Sequence, residues 1–119
     1  MAYILTLPSF HDERGSLTVI EKILPFEIKR VYYMYNVRGK RGGHRHKDTT
    51  QALVMLTGNC NVFVDNSKEQ NKFMLNSPEE CLILEPEDWH TMSEFSQGGV
   101  LLVLSSHYYD DEDYIEERY

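Results

Sequence analysis

No long apolar run occurs in this sequence. Nothing in it approaches the roughly 20 residues of a membrane-spanning helix. Met1-Ala2-Tyr3 runs into a short mixed segment, not the apolar stretch of a secretion signal. Cysteine is scarce: Cys60 and Cys81 are the two in the chain, each among apolar neighbours and neither in a Cys-x-x-Cys pair. A disulfide framework therefore has no support, and the expectation is a reducing, cytoplasmic protein with buried free thiols. Positive charge is the minority sign, 12 Lys and Arg against 19 Asp and Glu, for a net charge of −7. That balance argues against general binding to nucleic acid or to a membrane surface. Internal repeats, low-complexity tracts and domain linkers are also missing, so residues 1–119 read as one domain.

What is present reads as β-structure. Tyr3–Leu7, Leu17–Glu21, Arg30–Val37, Gln51–Thr57, Asn61–Val64, Lys72–Leu75, Cys81–Leu84, Trp89–Phe95 and Val100–Leu104 are strand candidates. Gly, Pro, Asn and Asp punctuate them, with a polar turn at His11–Ser16, a basic loop at Arg38–Gly43 and a hairpin turn at Gly58-Asn59. Many short strands at regular spacing indicate an all-β sandwich or barrel. Leu53, Met55, Val62, Val64, Leu82, Leu84, Leu102 and Leu104 are the expected core, with Trp89 and Phe95 in the core or in a pocket wall. His11 and His107 are expected at the surface. The tail Tyr108–Ile115 is expected to form a turn of helix or an arm over a partner.

The stretch with chemistry in it is Arg41-Gly42-Gly43-His44-Arg45-His46-Lys47, just after Val31-Tyr32-Tyr33-Met34-Tyr35. Side chains alternate along a strand, so His44 and His46 share a face, and so do Tyr33 and Tyr35. If both segments line one barrel, a pocket would hold two imidazoles, a phenol and a guanidinium, a set suited to moving protons on an anionic substrate. Arg30, Arg38, Lys40, Arg41, Arg45 and Lys47 crowd this region of an otherwise acidic chain, which points to a small anionic ligand such as a phosphate ester. The glycines permit a tight turn and close backbone approach. Both histidines on a solvated edge, or both as metal ligands without catalysis, are the plain alternatives.

These residues resemble the cupin-fold dTDP-sugar 3,4-ketoisomerases. The resemblance rests on Asp12–Leu17, Pro25–Tyr33, Arg41–Lys47, Trp89-His90 and Tyr108–Ile115, in that order. It implies an all-β cupin jelly-roll barrel, working as a homodimer in which N-terminal strands are exchanged, with Pro8 and the turn after it as the hinge. It implies an isomerase that converts dTDP-4-oxo-6-deoxy-D-glucose to a 3-oxo isomer through an enediol, for 3-amino-3,6-dideoxy sugars of bacterial surface glycans. No cofactor and no metal are implied. Gln51 stands where metal-binding cupins carry a glutamate, and a missing carboxylate weakens a divalent-metal site. The sequence departs from the family mainly in a shorter loop at Arg38-Gly39-Lys40.

Such a reaction needs a base for the C3 proton, a shuttle between O3 and O4, and a stabiliser for the enediolate. His46 is the expected base, and His44 the second acid/base or a holder of sugar oxygens. Tyr33 is the expected shuttle, with Tyr35 in reserve. Arg41 would stabilise oxyanion charge or bind phosphate, and Arg14 and Lys47 are candidates for the diphosphate. Gln51 and His90 complete the expected substrate-binding set; His90 either lines the pocket or bonds the backbone. The rival readings are a dTDP-sugar 3,5-epimerase and a nucleotide-sugar-binding cupin without turnover.

Overall fold

The computed structural model describes residues 1–119 and places their strands in two five-stranded antiparallel sheets and one separate hairpin. The first sheet runs β1 (Tyr3–Thr6), β9 (Glu80–Leu84), β6 (Gln51–Thr57), β11 (Val100–Ser105), β4 (Arg30–Tyr35). The second runs β12 (Tyr114–Ile115), β5 (Arg41–His46), β10 (Trp89–Ser93), β7 (Cys60–Asp65), β8 (Gln70–Leu75). The hairpin is β2 (Ser9–Asp12) with β3 (Gly15–Thr18). No helix is long and apolar enough to cross a membrane.

The core explains the near-continuous apolar runs of β6, β9 and β11. Leu53, Met55, Leu82, Leu84, Leu101 and Val103 pack inward against Val62, Val64 and Met92 of the second sheet. The alternate residues Ala52, Val54, Cys81, Ile83 and Leu104 form a second cluster under Ile20, Ile23, Leu24 and Phe26. A strand buried on both faces needs apolar residues at every position, so its period-2 signal disappears. Leu104 is buried as expected, but in this second cluster, and Leu102 is only half-buried against it. Both lie on the outer side of the sheet, while Leu101 and Val103 point in.

Element ends also shift. Arg41–Gly43, expected in a loop, lies within β5, and β3 stops at Thr18. Of the expected turn at His11–Ser16, only Glu13 and Arg14 lie outside strands. The tail forms the expected turn of helix and docks on its own barrel. It makes one 3-10 turn at Asp111–Asp113, capped by the Asp110 side chain, and then pairs as β12 with β5. Trp89 supports this docking instead of filling the core: its Nε1–H donates to the Glu116 carbonyl at 3.1 Å. The Arg118 guanidinium sits over the Trp89 and Phe63 rings and bonds Asp65 at 2.8 Å. Cys60 and Cys81 are buried free thiols, both pushed up in pKa by burial.

Candidate active site

A bulge sets the site. β5 pairs with β10 so that Gly42 faces Thr91 but His44 faces His90, and one residue of β5 is left over between them. Gly42 has φ +85°, and a Cβ there would meet the His90 carbonyl at 2.8 Å. Only glycine allows this conformation at this closeness. The extra residue brings His44 opposite His90, and β-alternation then turns His46 inward as well. The His44 ring lies 5.1 Å from His46 and 5.0 Å from His90, edge to face in both cases.

The cleft in front of His44 has a volume of about 280 Å³. Its walls are His44 and His90 behind, Arg30 and Tyr32 from β4, Arg41 from β5 and Tyr114 from β12. Gln51 holds Tyr32 from the core side: its Nε2–H donates to Tyr32 Oη at 3.2 Å and to Ser105 Oγ at 3.4 Å. Arg30 lies 4.4 Å over the Tyr32 ring and donates to Tyr114 Oη at 3.4 Å, and no carboxylate pairs with it. The cleft therefore presents two guanidiniums, Arg30 and Arg41, together with the Tyr32 phenol and the His44 imidazole.

Burial tunes these groups. His44 is lowered to about 4, by burial first and then by the nearby His46, so it is a neutral base at pH 7. His90 is lowered to about 3 by burial, and its Nδ1–H donates to the Asp88 carbonyl at 2.9 Å. Tyr32 is raised by burial, against the pull of Gln51, Arg30 and Arg41. His46 is 5% exposed and is lowered by burial, although Asp113 opposes this through a 2.8 Å bond to Nδ1. Asp113 is held low despite its own burial by Thr49, the Asp48 N–H and His46.

The structure brings together His44, His46, His90, Gln51 and Arg41 of the expected set. It separates the rest. Tyr33 and Tyr35 are 61% and 62% exposed on the outer face of β4, one register position away from the inward Tyr32. They line a different groove, which touches the cleft through Met34 and Arg41. Arg14 sits at the tip of the exposed hairpin, paired with Asp12 at 2.6 Å, in a depression that shares no residue with the cleft. The exposed Lys47 contributes its backbone N–H to the Asp113 carbonyl and no side chain to the cleft. Gln51 faces Tyr32 as an orienter.

Tyr32, Arg30, Tyr114 and Asp113 are the site residues that sequence reasoning missed. Met34 carried the signal for two of them: it is the apolar anchor of β4's inner face, and Tyr32 and Arg30 stand two and four residues before it. No three imidazoles, thiols or carboxylates are arranged to hold a metal ion. The amide of Gln51, spent on Tyr32 and Ser105, does not supply the missing ligand.

Comparison with known proteins identifies the family. The profile of the family described as FdtA: WxcM-like, C-terminal matches residues 2–119. The TDP-4-oxo-6-deoxy-alpha-D-glucose-3,4-oxoisomerase of Aneurinibacillus thermoaerophilus is 42% identical over 118 residues, covering 96% of this chain and 85% of the relative. The 3,4-ketoisomerase QdtA of Thermoanaerobacterium thermosaccharolyticum was solved as a histidine-to-asparagine variant with TDP-4-keto-6-deoxyglucose. It superposes with a TM-score of 0.93 at 39% identity, over 98% of this chain and 87% of that one. A dTDP-4-dehydrorhamnose 3,5-epimerase of Bacillus anthracis superposes with a TM-score of 0.80 at 18% identity, over 95% of this chain and 76% of that one, a likeness of fold alone. With its cupin jelly roll and its matched length, the chain belongs to the FdtA (WxcM-like, C-terminal) family.

Proposed function

We propose that the chain is a dTDP-4-oxo-6-deoxyglucose 3,4-ketoisomerase in which His44 is the base and Tyr32 the shuttle. The observation that carries this is the cleft itself: the neutral imidazole of His44 and the phenol of Tyr32 line the same cavity, with Arg30 stacked on the phenol and Arg41 in the same wall. His44 replaces His46 as base because His44 lines the cleft and His46 lies behind it.

His44 takes the C3 proton, and the C4 carbonyl becomes an enediolate oxygen. Arg30 and Arg41 stabilise that charge. Gln51 already donates to Tyr32 Oη, so the phenol's own hydrogen is free for O4. Tyr32 gives it there and recovers one from O3. The 3-oxo group then forms as protonated His44 returns a proton to C4. Every proton is accounted for, and no electron leaves the substrate.

A homodimer belongs to this reading. Val31, Tyr33 and Tyr35 expose an apolar strip on edge strand β4, and the hairpin exposes Phe10 and Leu17. A second copy, with N-terminal segments exchanged, covers these surfaces. Buried reduced thiols and a sugar-nucleotide substrate favour a cytoplasmic location.

The reaction is tested by incubating the protein with dTDP-4-oxo-6-deoxyglucose in D₂O under proton NMR. Exchange at C3 and C4 with a 3-oxo product is expected. Exchange at C5 would make the chain an epimerase, and binding without exchange would make it a carrier or sensor.

A further inference from the structure

The buried carboxylate of Asp113 has no place in the proton transfers above, yet it is the most heavily bonded side chain near the cleft. Its Oδ2 accepts the His46 Nδ1–H at 2.8 Å and the Thr49 Oγ–H at 2.5 Å, and its Oδ1 accepts the Asp48 N–H at 2.7 Å. Its backbone carbonyl accepts the Lys47 N–H at 2.9 Å. One residue of the tail thus binds four consecutive residues, 46–49, at the end of β5.

The next residue, Tyr114, pairs with His46 in β12 and places its ring 4.8 Å from His44 and 4.7 Å from His46. A carboxylate only accepts, so neutral His46 must carry its hydrogen on Nδ1. That leaves a lone pair on the buried Nε2, which has no hydrogen-bond partner in the protein and lies beside Gln51. On the other side, Gln51 holds the Tyr32 hydroxyl.

We infer that Asp113 is a positioning residue of this site: it fixes the Nδ1–H tautomer of His46 and seats Tyr114, so the tail finishes the cleft from behind. The inference rests on the ketoisomerase reading for its kinetic part and on geometry alone for its tautomer part. In Asp113→Asn the amide can donate to Nδ1 and move the His46 hydrogen to Nε2. Asp113→Glu keeps the carboxylate.

The test is ¹⁵N NMR of the histidine rings together with C3-proton exchange and dTDP binding, on wild type and both variants. Wild type is expected to show His46 as Nδ1–H. Asp113→Asn is expected to show Nε2–H and a roughly 10- to 100-fold lower kcat, with dTDP affinity within about threefold. Asp113→Glu is expected to restore the tautomer and part of kcat. Wild-type His46 in the Nε2–H form would overturn the inference even if no variant folds. So would an Asp113→Asn protein with unchanged tautomer and kcat. Failure of wild type to exchange C3 would instead strike the ketoisomerase reading and leave the tautomer result standing.

Discussion

At Gln51 the amide gives one hydrogen to Tyr32 Oη, and the phenol is left to donate its own hydrogen elsewhere. Gln51→Glu reverses that polarity, because a carboxylate accepts the phenol's hydrogen and adds negative charge beside it. The expected result is a kcat at least tenfold lower with dTDP binding nearly unchanged, read by initial rates and calorimetry. Equal kcat would mean that Tyr32 needs no orienter. Tyr32→Phe removes the shuttle itself and is expected to lower kcat by about 10²- to 10⁴-fold, whereas Tyr33→Phe, on the outer face, is expected to change it little. The contrast also marks what could be read in advance. Arg30–Val37 is legible as a strand, and the sharing of a face by alternate tyrosines follows from its period. Which face looks inward is set by the partner strand, where Leu102 opposite Tyr33 lies on the outer side; the one local sign of it is Met34, the apolar residue that shares a face with Tyr32.

At the scale of elements, β5 depends on Gly42. A Cβ there meets the His90 carbonyl, a backbone atom that cannot rotate away, and the φ of +85° adds strain. Gly42→Ala is expected to cost about 1–3 kcal/mol, visible as a lower Tm, and to slow C3 exchange by moving His44 off His90. An unchanged Tm would show that β5 and β10 are less closely joined than described. The pair Gly42-Gly43 was legible as a close approach. The bulge was not, since it arises from the register of β5 against β10, residues some 50 apart in sequence. The tail was legible as an acidic, aromatic segment with a turn of helix. Its fold follows from contacts of long range, such as Asp113 to His46 and Arg118 to Asp65.

For the whole molecule, acid stability follows from the buried imidazoles. His44 at about 4 and His90 at about 3 remain neutral in the folded state, while the same groups in the unfolded chain take protons below about 6.5. The unfolded state then binds more protons, so stability falls as pH drops from about 6.5 towards 4. Asp88, pushed up to about 6 by burial, works in the opposite direction: its protonated folded form contributes stability that is lost as pH rises through that range. Two imidazoles outweigh one carboxyl, so Tm is expected to fall between pH 7 and 4.5; a rising Tm would contradict the burial described. Assembly is testable on the same scale. Tyr33→Glu with Tyr35→Glu is expected to convert a dimer into monomers by light scattering, and a wild-type monomer at micromolar concentration would remove the dimer from the account. The central claim is that His44, in front of His46, takes the proton from C3. Its most direct measurement is the loss of the C3 proton of dTDP-4-oxo-6-deoxyglucose in D₂O, followed in wild type, His44→Asn and His46→Asn. The account predicts rapid loss in wild type, near-zero loss in His44→Asn with dTDP still bound, and residual loss in His46→Asn. Exchange at the wild-type rate in His44→Asn, or its abolition in His46→Asn alone, would contradict it.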